Sequence, residues 1–335
     1  MRKLLLTSSA LVAAASISSY AVADVSVTGG FEWKYTQQAA DQTTKDGDDF
    51  ATDNEIVISF TNKTDTGLTV GGKMEIGNYN DDAANTTAVI DESVLTISGG
   101  FGTFRLGNED PIDETFGIDE QDLIDEEGNG LFTSASLGNT SNLGLGGDSN
   151  KIAYLTPNMG GFQAGYSIAD SGSGTAATDT NAVGASYTMP VGGGSMVVKY
   201  NQATLDGGTD TDTTNMGVQL NMGAMTLIAS SGTKEKVGDD DITANGFGIK
   251  YDMGGGMTIG AATVEVTDET DVASGEEEKY TANIGEVVYT VAPGLKAKVT
   301  YTDYEFKNGG DVGASGAANA DDSGQITTLT ISASF

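Results

Sequence analysis

Gln325-Ile326-Thr327-Thr328-Leu329-Thr330-Ile331-Ser332-Ala333-Ser334-Phe335 alternates with period two: Leu329, Ile331, Ala333 and Phe335 on one parity, Thr328, Thr330, Ser332 and Ser334 on the other. Period two is the repeat of a strand, so this segment predicts a ribbon with one apolar and one polar face. The rest of the chain repeats the pattern. Val25, Val27, Phe31, Trp33 and Tyr35 oppose Ser26, Thr28, Glu32, Lys34 and Thr36. The same holds for Ile56, Ile58 and Phe60, for Met216, Val218 and Leu220, and for Phe247, Ile249, Tyr251 and Met253. Residues 257–267 and 88–94 are ambiguous, since either parity there suits an outward face.

The connections between about 16 such segments alternate in length and composition. Short turns rich in Gly and Pro fall at Thr64 to Gly67, Gly99 to Gly100, Pro157 to Gly161, Pro190 to Gly194, Met222 to Gly223, Gly254 to Gly256 and Ala292 to Gly294. Each supplies the backbone freedom or the fixed φ of a tight reversal. Longer stretches rich in Asp, Gly and Thr fall at 38–54, 80–87, 109–148, 171–179, 205–212, 233–241, 268–276 and 307–323. A sheet with two such unlike ends is expected where one end faces a periplasm and the other the outside.

Residues 1–23 read as a secretory signal peptide: Arg2 and Lys3, an apolar stretch from Leu4 to Ala15, then Ala21-Val22-Ala23 in small-x-small spacing before Asp24. The remainder, 24–335, forms one barrel unit. It has no apolar run long enough for a membrane helix, which leaves a closed barrel as the way to span a bilayer. A soluble β-sandwich would hide the apolar parity between two sheets, and a calcium β-helix would need a nine-residue Gly/Asp repeat that is absent.

Charge and composition then remove whole classes of function. Of 16 basic residues the signal takes Arg2 and Lys3, and 48 acidic residues remain, a net −34 against −32 for the whole chain. Such a chain repels phosphate backbones, so nucleic acid is no partner, and anionic headgroups are equally poor ones. There is no cysteine and no histidine, so neither disulfides nor an imidazole base or ligand is available. An enzyme dependent on histidine is excluded; a carboxylate enzyme lacks a singled-out pair. About 16 strands with a polar, small inward parity leave a wet lumen, so channel function is expected.

Two stretches, Gly99-Gly100-Phe101-Gly102-Thr103-Phe104-Arg105-Leu106-Gly107-Asn108 and Lys151-Ile152-Ala153-Tyr154-Leu155-Thr156-Pro157-Asn158-Met159-Gly160-Gly161-Phe162-Gln163-Ala164-Gly165-Tyr166, resemble the general porins of Gram-negative bacteria. With the signal peptide and the terminal Phe335, the resemblance spans the chain. It implies an all-β, transmembrane antiparallel β-barrel of 16 strands in the bacterial outer membrane. It also implies a homotrimer set in outer-membrane lipid, whose third long loop folds inward and narrows the pore. Here that loop is 109–148, and its implied constriction residues are Glu109, Asp110, Asp113, Glu114, Asp119, Glu120 and Asp122, followed by Asp125, Glu126 and Glu127. The matching wall positions are Arg105, with Lys34 and Lys73.

The expected function is passive diffusion of small hydrophilic solutes and ions, with cations preferred because carboxylates in a narrow passage act at reduced dielectric. General porins often carry an arginine cluster, whereas here Arg105 is the one arginine after the signal, which favours plain cation preference over a strong transverse field. The alternatives are a solute-specific pore with an aromatic track and a barrel that anchors adhesive loops. No cofactor is expected, although close carboxylates in the acidic loop also suit a Ca2+ ion.

Overall fold

The structure, a computed structural model, describes residues 24–40, 47–80, 89–124, 141–145, 147, 149–170, 179–207, 210–236, 241–268, 277–308 and 321–335. The signal-peptide reading of 1–23 and the acidic residues Asp125, Glu126 and Glu127 therefore lie outside the described residues.

Sixteen strands follow one another: β1 Asp24–Ala40, β2 Gly47–Lys63, β3 Thr69–Asn80, β4 Val89–Gly99, β5 Gly102–Glu109, β6 Ser149–Leu155, β7 Phe162–Asp170 and β8 Asp179–Val191 in the first half. In the second half come β9 Gly194–Asp206, β10 Thr211–Met222, β11 Met225–Lys236, β12 Ile242–Gly254, β13 Met257–Asp268, β14 Glu278–Ala292, β15 Leu295–Lys307 and β16 Asp322–Ser334. Each pairs antiparallel with its sequence neighbours, and β1 closes the barrel on β16 from Gly30↔Ser334 to Ala40↔Gly324. Closure removes every sheet edge, which a bilayer demands because no water is there to satisfy unpaired backbone groups. The first long connection is shorter than the composition of 38–54 suggests: β1 runs on to Ala40 and β2 starts at Gly47, with Gln38 still paired to Gly47.

The terminal ribbon faces as its alternation requires, with Leu329, Ile331 and Phe335 exposed while Thr328 and Thr330 are buried inside. The outward face is not apolar along its full length, however. On β15, Val299 and Tyr301 face out near the short-turn end, and Asp303, Glu305 and Lys307 take the same parity toward the long loops. The inward parity makes the opposite change, from Lys298, Thr300 and Thr302 to buried Tyr304 and Phe306. On β13 the outward Ile259 and the inward Val264 and Val266 make the same exchange, which is why 257–267 offered no single apolar parity. The expectation of a polar, small interior thus holds only for the short-turn half of this wall. In the other half Val264, Val266, Tyr280, Ala282, Ile284, Tyr304, Phe306 and Ile326 form a buried cluster inside the barrel. Strands that outrun the hydrocarbon layer meet water outside, so above it burial reverts to the soluble-protein rule.

Candidate pore constriction

The connection from β5 to β6 enters the barrel. It carries a single helical turn, α1 (Ile112–Thr115), then a 3-10 turn, Glu120–Asp122. α1 touches β7, β8 and β9, and the 3-10 turn touches β11, β12 and β13. The loop docks through Ile112, Phe116, Ile118, Leu123 and Ile124, all buried.

What receives them is a row of inward-facing glycines. A Cβ built on Gly165 would lie 2.7 Å from Ile112 Cδ1, on Gly184 2.6 Å from Phe116 Cδ2, on Gly217 2.5 Å from Ile118 Cβ and on Gly260 2.8 Å from Ile124 Cδ1. Real side-chain carbons sit about 3.5–4.0 Å apart, so only glycine lets the loop lie this close to the wall. Sequence reading missed this floor. Its signal is present in the sequence as Gly165, Gly184, Gly217 and Gly260, which fall on the inward parity of β7, β8, β10 and β13, but a glycine on such a face looks neutral until something packs on it.

Polar wall residues then satisfy the loop's backbone. The Ser167 hydroxyl accepts from Ile112 N at 3.1 Å. The Asn215 side-chain amide bonds both backbone groups of Leu143, accepting from its N–H at 2.8 Å and donating to its carbonyl at 3.2 Å. Lys199 donates to Thr115 O at 3.3 Å and Gly117 O at 2.9 Å, and Lys250 to Leu123 O at 2.9 Å. Both ammonium groups thus cap carbonyls at the ends of helical turns, where the backbone leaves acceptors unsatisfied. Lys151 ties the two limbs at the neck through the carbonyls of Glu109 and Gly147.

The expected constriction residues divide sharply. Asp110, Glu114 and Asp122 are exposed and Asp119 is half-buried. Asp113 and Glu120 are fully buried and do not line the passage. Asp113 Oδ2 accepts from Leu145 N at 3.2 Å. The Glu120 carboxylate accepts from Ser141 N at 3.2 Å and Ser141 Oγ at 2.5 Å, so both side chains join the outgoing limb of the loop to its return. Glu109 is buried against Arg105, with Nε to Oε1 at 2.9 Å, and Arg105 also donates to Thr115 Oγ1 at 3.0 Å. Arg105 therefore braces α1 against the wall. Lys34 pairs with Glu32 at 3.6 Å, and Lys73 with Glu75 at 3.1 Å and with Glu92.

Burial pushes the Glu120 carboxyl up to about 7, against the opposing pull of its Ser141 hydrogen bonds. Asp122 is also raised above the usual range, by its withdrawal from bulk water into the barrel and then by the Asp119 charge, while Lys199 pulls the other way. Asp119 meanwhile caps the turn, accepting from Gln121 N at 3.0 Å and Asp122 N at 3.3 Å. Among the described residues no group of three or more acidic side chains converges on a possible metal position.

Beside the 3-10 turn lies a chamber of about 300 Å3, lined by Gln121 and Asp122 of the loop, by Lys250, and by Glu286, Lys296, Lys298 and Glu32 of the neighbouring wall. These lysines were not among the expected wall residues, although the alternation Lys296-Ala297-Lys298-Val299 already sets them inward.

A loop that enters a closed 16-strand barrel after its fifth strand and leaves a charged chamber beside it is porin architecture, and the sequence profile for Gram-negative porins matches residues 7–309. The chain belongs to the Gram-negative porin family. It is thus an outer-membrane channel for passive diffusion, and family and fold both point to a channel rather than an enzyme. Among solved structures, this porin is similar to the anion-selective porin from Comamonas acidovorans (18% identity, 94% of this chain and 100% of that one, TM-score 0.68). It is also similar to the trimer form of OmpT, an outer membrane protein of Vibrio cholerae (12% identity, 93% and 99%, TM-score 0.68), and to a mutant of the Rh. blastica porin (15% identity, 93% and 100%, TM-score 0.66). No curated protein matches the sequence. At these identities the likeness speaks for the fold alone.

Proposed function

We propose that this porin is a general pore for small hydrophilic solutes with a mild preference for cations, working as a homotrimer in outer-membrane lipid. The observation that supports the preference is where the charges of the loop and its nearby wall are placed. Glu114 and Asp122 are exposed to the passage, whereas Arg105, Lys34 and Lys73 each sit beside a wall carboxylate and Lys199 and Lys250 hold loop carbonyls. Exposed carboxylates on the loop attract a passing cation at reduced dielectric, whereas a base held beside a wall carboxylate attracts an anion less. The Comamonas acidovorans porin is anion-selective on a similar barrel, so the lining charges rather than the fold must set the sign. A solute-specific aromatic track is disfavoured, since the inward rings Tyr280, Tyr304 and Phe306 are buried.

The test is the reversal potential of the purified protein in a planar bilayer under a KCl gradient. Its sign should report cations, and Glu114→Gln, Asp119→Asn and Asp122→Asn together should move it toward zero. An anion-selective sign in the unaltered protein would overturn the reading.

A further inference from the structure

The lipid-facing rim near the short turns changes chemistry from one side of the barrel to the other. On β2, β5 and β7, and just past β16, it carries Phe60, Phe104, Phe162 and Phe335, all exposed. Three consecutive hairpins on the other side carry methionines instead. Met189 of β8 is the direct partner of Met196 of β9, Met222 of β10 is that of Met225 of β11, and Met253 and Met257 flank the turn from β12 to β13. These side chains take the outward parity: Met222, Met253 and Met257 are exposed, whereas Ile228, on the opposite parity of β11 to Met225, is buried inside. Met225 also stands directly across from Tyr251, and Met257 from Tyr289. Direct partners have Cβ atoms about 4.5–5.5 Å apart, so each of these sulfurs reaches a neighbouring thioether or ring.

Aromatic rings are the usual occupants of such a rim, because an amphipathic ring suits headgroup depth. A thioether is unbranched, polarizable and open to oxidation. With no cysteine or histidine in the chain, thioethers are its softest nucleophiles. We infer that the short-turn rim of β8–β13 is a site of reversible methionine oxidation, which consumes hypohalous acids at the membrane boundary and leaves the pore wall untouched. The sulfur lone pair takes chlorine from HOCl, whose O–Cl bond breaks and releases hydroxide. Water then forms the S–O bond, chloride departs with the S–Cl electron pair, and two protons pass to solvent. Sulfur is thereby oxidised by two electrons and chlorine reduced to chloride. The sulfoxide is polar, and at the rim it stays hydrated, whereas deeper in hydrocarbon it would be stranded. Met74 occupies such a deeper place, since Val70 and Gly72 separate it from the short-turn end of β3 on the same face.

The test is a titration of the purified protein, in vesicles of saturated phosphatidylcholine, with hypochlorous acid. Peptide mass spectrometry reads the sulfoxide at each methionine, and conductance is recorded in parallel. Met189, Met196, Met222, Met225, Met253 and Met257 should be oxidised several-fold faster than Met74 while conductance is retained. After transfer to detergent, methionine sulfoxide reductase should return them to thioethers. Rim sulfurs that react no faster than Met74, sulfoxides that the reductase leaves in place, or a conductance that falls in step with rim oxidation would each overturn the inference. Replacing the rim methionines together by leucine (Met189→Leu and its counterparts) conserves volume and keeps the barrel. In that variant Met74 and the rings of Tyr251 and Tyr289 should be attacked several-fold sooner, and unchanged rates there would show that the rim consumes nothing on their behalf.

Discussion

The glycine floor gives the sharpest test of how the loop is held. In Gly217→Leu/Gly260→Leu, the new side chains occupy space now filled by Ile118 and Ile124, whose atoms lie 2.5 and 2.8 Å from where each Cβ would be. Those isoleucines must leave their contacts, and each forfeits roughly 1.5–3 kcal/mol of apolar burial. Together that is about 3–6 kcal/mol, which lowers the ratio of docked to undocked loop by roughly a hundredfold to ten-thousandfold. The barrel ladders do not pass through these side chains, so the strands remain paired. Single-channel recording should show a larger and noisier conductance, and liposome swelling should show a raised size limit for uncharged sugars. Gly285→Leu is the control, because a Cβ there meets nothing within 4 Å. If the double variant keeps the conductance and size limit of the unaltered protein, the loop is not held by this floor and the packing argument fails.

Glu120 makes loop docking depend on pH. Its docked carboxyl is raised from 4.5 to about 7, so the docked state binds the proton more tightly and docking is strongest below about pH 4.5, weakening as pH rises toward 7 by roughly 3 kcal/mol. Open-channel noise should grow over that window in the unaltered protein and stay flat in Glu120→Gln; an equal pH response in both would count against it. Lys250→Met removes the charged donor to Leu123 O and should cost about 2 kcal/mol of docking, read as a larger conductance that Lys250→Arg restores. Equal conductance for Met and Arg at that position would mean that the tether contributes nothing.

Much of the barrel was legible because a strand announces itself locally. Thr328 and Leu329 need no distant partner to declare opposite faces, and the turns at Thr64 to Gly67 and Ala292 to Gly294 state their geometry in their own residues. The parity of 257–267 was not legible, since the apolar side of that ribbon passes from lipid outside to a protein core inside and only its position relative to the bilayer tells which is which. The acids of the loop were harder still. Asp113 and Asp122 look alike in sequence, yet one is buried beneath Leu145 N and the other is exposed at the chamber.

The sequence by itself determined a closed ribbon with unlike ends, an acidic loop between its fifth and sixth strands, and a function without imidazole or thiol chemistry, because period, charge and composition are properties of neighbouring residues. Tertiary structure alone decided which carboxylates of the loop are buried, which stay exposed and which bases lie near them. Glu120 is hidden because the backbone at Gly246 leaves room for its carboxylate, and Lys298 lines the chamber because the register of β15 against β16 sets it beside Thr330. Those partners come together only when the sheet closes and the loop drops onto its glycines.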